Sequence, residues 1–99
     1  MWKGGEFAVV YLISYDLNKA DKNYTDLYDA IKKASTGAWW HYLDSTWIIK
    51  SNLTVADVSN RLKATMDNND SLLVIEVKNN YAGWLKKEAW DYLRDVIFA

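Results

Sequence analysis

The sequence predicts an α+β fold. Three observations carry this expectation. Short runs rich in β-branched and aromatic residues alternate with stretches of helical period. Clusters of Asp, Asn and Ser separate them, and no proline occurs anywhere. The resulting order is β-α-β-β-α-β, followed by one more helix.

Each element has its own reason. MWKGGEF, residues 1–7, is Gly-rich and aperiodic, so it reads as a flexible leader or an expression scar. The domain is expected over residues 8–99. AVVYLISY (8–15) is a central strand by length and branching, and DLNKADKN (16–23) is a loop. YTDLYDAIKKA then places Tyr24, Leu27, Ile31 and Ala34 on one helical face. Asn23 is its expected cap, and Asp26 suits the positive end of the helix dipole.

AWWHYL and TWIIK are two strands, joined by a tight turn at Asp44–Ser45. Alternation puts Trp39, His41 and Leu43 on one face, opposite Trp40 and Tyr42. TVADVSNRLKATM (54–66) opens with a Thr54–Asp57 cap and is expected to bury Val55, Val58, Leu62 and Met66. DNND turns, and SLLVIEVK (71–78) is a strand expected to face Leu73, Ile75 and Val77 inward and Glu76 outward. A last amphipathic helix over 85–98 presents Leu85, Ala89, Leu93 and Val96. Two split βαβ halves of this order make a ferredoxin-like four-stranded antiparallel sandwich with an extra C-terminal helix. The sheet face away from the two helices needs the C-terminal helix, a second protomer or a ligand to cover it.

Bulk composition bounds the function. Ninety-nine residues suffice for one core. Hydrophobic residues at 51% and charged residues at 25% describe a folding chain, not a disordered one. A net charge of −1 argues against tight non-specific duplex binding, which needs rows of Lys and Arg on phosphates. With no cysteine there is no disulfide, thiolate nucleophile or Cys-ligated zinc, and one histidine excludes multi-histidine metal sites. No apolar run reaches the roughly 20 residues of a membrane helix, and no signal peptide is visible. The expected location is cytoplasmic, away from membranes. Six tryptophans and seven tyrosines are many to bury in so small a chain, which points to a partner surface.

Candidate functional residues cluster around two places. Asp16 follows the first strand directly, where a carboxylate at the sheet rim can ligate Mg²⁺ or Mn²⁺, two copies meeting in a dimer. The plainer reading is a loop-opening Asp bonded to its own backbone. Asp44, Ser45 and Thr46 can surround a metal or phosphate with it, or simply form the turn. His41 is either a general acid/base or a hydrogen-bonded edge imidazole. Trp39, Trp47 and Tyr42 offer stacking surfaces for bases, with Asn18 in the loop after the first strand and Lys19 or Lys22 of that loop for phosphate. Core and dimer packing explain the same aromatics. A Ser-His-Asp triad has no nucleophile elbow to support it, and the basic-glycine motif of RNA-recognition sheets is absent. Lys32–Lys33 and Lys86–Lys87 are the basic pairs, on helix faces.

YLISYDLNK, the DLYDAIKK helix and WWHYLDSTWII together resemble the SinR-like family of small bacterial and phage proteins. The SinR-like resemblance covers roughly residues 8 to 77, and the same architecture is similar, distantly, to the small ferredoxin-fold CRISPR-associated nuclease. That resemblance implies a homodimer in phage or bacterial defence, with Asp16 after Tyr15 as the ligand of a catalytic Mg²⁺ or Mn²⁺. It also implies that Ser45 and Thr46, before Trp47, position a phosphate in catalysis. The first helix carries no arginine, where that nuclease family has an arginine-rich one.

Three functions follow as expectations. The favoured one is a homodimeric interaction or binding module, engaging nucleic acid or a protein partner. The others are a Mg²⁺- or Mn²⁺-dependent nuclease using Asp16 across the dimer, and a nucleotide binder that stacks bases on its aromatic sheet.

Overall fold

A computed structural model describes residues 8–18 and 24–99. The expected leader, the Asn23 cap, Lys19 and Lys22 lie outside the described residues. The architecture is α+β. Strands β1 (Val9–Asp16), β2 (Trp39–Leu43), β3 (Thr46–Ser51) and β4 (Ser71–Val77) form one antiparallel sheet in the order β2-β3-β1-β4. Helix α1 (Thr25–Ala34) joins β1 to β2, and α2 (Val55–Lys63) joins β3 to β4. Each βαβ unit therefore brackets a strand of the other, an order compatible with the ferredoxin-like split arrangement.

The main core lies between the sheet and these two helices. Tyr11, Ile13 and Tyr15 from β1 alternate inward with Trp47 and Ile49 from β3. They meet Leu27, Ile31 and Ala34 of α1 and Val58 and Leu62 of α2. The α2 cap forms as its sequence demands, with Thr54 Oγ1 accepting from the Asp57 amide at 3.1 Å. Val55, expected in the buried stripe, is 45% exposed because it sits at the helix's first turn, before the helix reaches the core. The buried Ser51 hydroxyl donates to the Ala34 carbonyl at 2.7 Å and accepts from the Leu53 amide at 3.1 Å. Its burial is thereby compensated.

The C-terminal helix covers part of the opposite face. α3 (Lys87–Tyr92) runs into a π-helical turn, Leu93–Ile97, closed by the Phe98 amide on the Leu93 carbonyl at 2.9 Å. Ala89, Leu93 and Ile97 pack on Trp40, whose indole N–H donates to the Ala89 carbonyl at 3.0 Å. Ile97 takes the buried place expected for Val96, because the wider π turn brings the residue four positions after Leu93 back under it. The outward side carries Lys87, Asp91, Arg94 and Asp95 in ion pairs. Among the described residues no helix is long and apolar enough to cross a membrane.

β4 corrects the expected facing. Leu72 and Val74 point to the main core, while Leu73 and Ile75 stand 54% and 47% exposed on the opposite face. Glu76, expected outward, shares the side of Leu72 and Val74; both sides carry apolar residues, so alternation alone does not choose the inward one. The C-terminal helix lies over β2 and β3, and β4 is the strand farthest from β2. Among the described residues, Leu73 and Ile75 on that half of the face stay exposed.

Candidate aromatic cleft and carboxylate rim

The β2–β3 hairpin builds the site. Its two-residue turn, Asp44–Ser45, sits where the alternation predicts. One feature is not legible in the alternation. Trp40 lies opposite Ile48, but Leu43 lies opposite Thr46, so β2 carries one extra residue around His41 and Tyr42. Such a bulge re-aims side chains on an edge strand.

His41 is held on three sides. Its ring stacks on Trp47 at 4.0 Å between centroids and 14° between planes, and Tyr28 meets it edge-on at 5.3 Å. Its Nε2 lies 3.0 Å from the Asp44 carbonyl oxygen. A carbonyl only accepts, so Nε2 carries the proton and Nδ1 is the ring's remaining acceptor in the neutral form. Trp47 is 1% exposed, so this expected binding residue is the floor under His41 and not a ligand surface. The Trp47 indole N–H donates to the Tyr15 hydroxyl at 3.1 Å. Burial pushes the Tyr15 phenol well above its ordinary pKa; the Trp47 bond opposes that shift, and Tyr28 and Tyr24 add to it. Tyr15 is therefore a neutral pillar of the site.

Trp39, His41 and Tyr42 line one open cleft of about 390 Å³ with Gly37 and Tyr92. Tyr42 is 42% exposed and leans on Trp40 from the other sheet face, at 5.3 Å between rings. The cleft thus wraps the β2 edge, drawing its walls from both faces. The Lys32 ammonium lies 4.7 Å above the Trp39 ring. Gly37 enters the cleft at φ +108°, a conformation that a Cβ would strain. Tyr92 and Gly37 were not among the expected site residues. Tyr92 comes from the C-terminal helix, and only the packing of that helix on Trp40 brings it near.

The second expected place is the rim at the end of β1. The Tyr15 amide donates to the Ser45 carbonyl at 3.2 Å, and Ser14 pairs with Thr46, so the turn and Asp16 share one end of the sheet. Asp16 is exposed, pairs with Ser71 on β4, and borders a shallow hollow of about 260 Å³ with Ser14, Tyr15 and Leu73. Asn18 is a loop tie: its amide donates to Asp70 Oδ1 at 3.0 Å. Among the described residues no three His, Cys, Asp or Glu side chains converge to hold a metal ion. A Mg²⁺ or Mn²⁺ on Asp16 would take its remaining oxygen ligands from water, a phosphate or a second copy of the chain.

No family model matches this chain, and no curated protein and no solved structure is significantly similar to it.

Proposed function

We propose that this chain is a binding module whose site is the β2-edge cleft and whose ligand presents a planar aromatic ring, a nucleobase above all. The carrying observation is the convergence of Trp39, His41, Tyr42 and Tyr92 on one cleft of about 390 Å³. That size falls in the range of about 300–1,000 Å³ found for small-ligand pockets. Ring faces supply sequence-tolerant stacking. His41 Nδ1 offers an acceptor, and the Lys32 ammonium over the Trp39 ring offers a cation for a phosphate that follows the base. A mononucleotide suits the net charge of −1 better than a long polyanion does.

Calorimetric titration with nucleoside monophosphates and with the matching nucleosides tests this. Tyr42→Ala is the main variant, because an exposed side chain can be removed without unfolding the core. Loss of one stacking ring is expected to weaken binding by about 1–3 kcal/mol. Lys32→Ala should weaken the nucleotide and leave the nucleoside unchanged. No heat from any nucleotide with folded protein, or equal binding by Tyr42→Ala, would sink the proposal and turn attention to protein partners.

A further inference from the structure

We infer that the free edge of β4 is a self-pairing edge: two copies of this chain join through antiparallel β4–β4 pairing, with the twofold axis at Val74. Among the described residues β4 pairs with β1 alone, so its outer row of backbone donors and acceptors lacks a strand partner. The strand is seven residues long, and Glu76 is its single charge. Natural edge strands are usually short, charged or covered, because a long apolar edge templates another strand. Leu73 and Ile75 stand exposed on this strand, and the connection leaving it carries Trp84 at 99% exposure.

Charge selects the register. Side chains opposite each other in an antiparallel pair share a face, so a twofold axis must pass at a residue of the strand. An axis at Leu73 sets Glu76 against the partner's Asp70, two like charges. An axis at Ile75 sets Glu76 against the partner's Val74 and Lys78 against the partner's Leu72. An axis at Val74 sets Lys78 against the partner's Asp70 at both ends, and Leu73 against the partner's Ile75 twice on the bare face. The last register also sets Glu76 against the partner's Leu72, but it alone of the three pairs opposite charges, Lys78 with Asp70, at both ends. The Asp70 carboxylate already accepts from the Asn18 and Asp67 amides at 3.0 and 2.9 Å, which holds it in place for Lys78.

This dimer has a consequence for Asp16. Asp16 pairs with Ser71 at the start of β4. Three strand spacings across and six residues along, the two Asp16 carboxylates would stand roughly 25 Å apart. They cannot share one metal ion, so this assembly and the two-copy nuclease site exclude each other.

The chain has no cysteine, which makes the test clean. Leu73→Cys, Val74→Cys and Ile75→Cys would each be oxidised and run without reductant, beside sedimentation of the wild type. A residue on the axis faces its own copy at about 4.5–5.5 Å between Cα atoms, within disulfide reach. The expected result is a wild-type dimer and a covalent dimer from Val74→Cys alone. Lys78→Glu should weaken dimerisation on the order of tenfold by placing like charges opposite at both ends. A monomer at high concentration, a cross-link from Leu73→Cys or Ile75→Cys in its place, or an unchanged Lys78→Glu dimer would overturn the inference. Cleft binding in a single protomer is measured separately, so either proposal can fail without the other.

Discussion

Truncating Trp40 tests how the second sheet face is closed. Its indole is 2% exposed, packs on Ala89, Leu93 and Ile97, and donates to the Ala89 carbonyl. Trp40→Ala removes a large ring from a well-filled layer, which costs about 3–5 kcal/mol. Trp40→Phe keeps most of the apolar contact and loses the hydrogen bond, worth about 1 kcal/mol, plus a small void. A domain of this size has about 5–15 kcal/mol in total, so the first variant spends much of its margin. The loss should also be local. α3 and its π turn span residues 87–97, shorter than the roughly 12–15 residues that a helix needs to persist in water. Once undocked, that segment should melt before the two-helix core. Urea unfolding gives the total, and amide hydrogen exchange gives the place. The expected outcome is a large drop in midpoint for Trp40→Ala and lost protection over 87–97 that exceeds any loss over Thr25–Ala34. A destabilisation below about 1 kcal/mol, or protection lost evenly over the chain, would refute the docking argument.

Other outcomes follow from the same geometry. Gly37→Ala should cost about 1–2 kcal/mol in thermal unfolding through backbone strain alone, since no atom lies within 4 Å of the added Cβ. Tyr15 keeps its proton in the folded chain beyond its ordinary pKa of 10.0. Its contribution to stability is therefore fully present below that value and is lost as pH rises through the higher folded value. Ultraviolet titration of phenolate beside urea curves on either side of pH 10.0 checks the sign; stability that rises through this window would contradict it. Asp16→Ala should fold normally and match wild type in assays with labelled DNA and RNA plus Mg²⁺ or Mn²⁺. Metal-dependent cleavage by wild type that vanishes in the variant would replace the binding proposal with the nuclease one.

Most of the candidate site was written locally. The period-two run through Trp39, Trp40, His41 and Tyr42 marked an aromatic strand, and Asp44–Ser45 marked its turn. Whether each ring is floor or wall was not readable. Trp47 and Trp39 face the same side, yet Trp47 lies on a strand flanked by neighbours and is sealed, while Trp39 lies on the edge and is half-open. The bulge at His41 and Tyr42 left no composition signal, because it depends on pairing with β3.

The sequence by itself determined the element order, the hairpin turn, the Thr54 cap and the helix faces at Leu27, Ile31, Val58 and Leu62. Each is set within a few residues by steric periodicity and local hydrogen bonding. Tertiary structure alone decided which face of β4 meets the core, because both faces carry apolar residues and the side with Glu76 is the one that packs inward. It alone brought Tyr92 to the β2 edge, through a helix docked some fifty residues later in the chain by the Trp40 indole. Contacts between distant segments depend on how the layers stack, and no window of neighbouring residues carries that information.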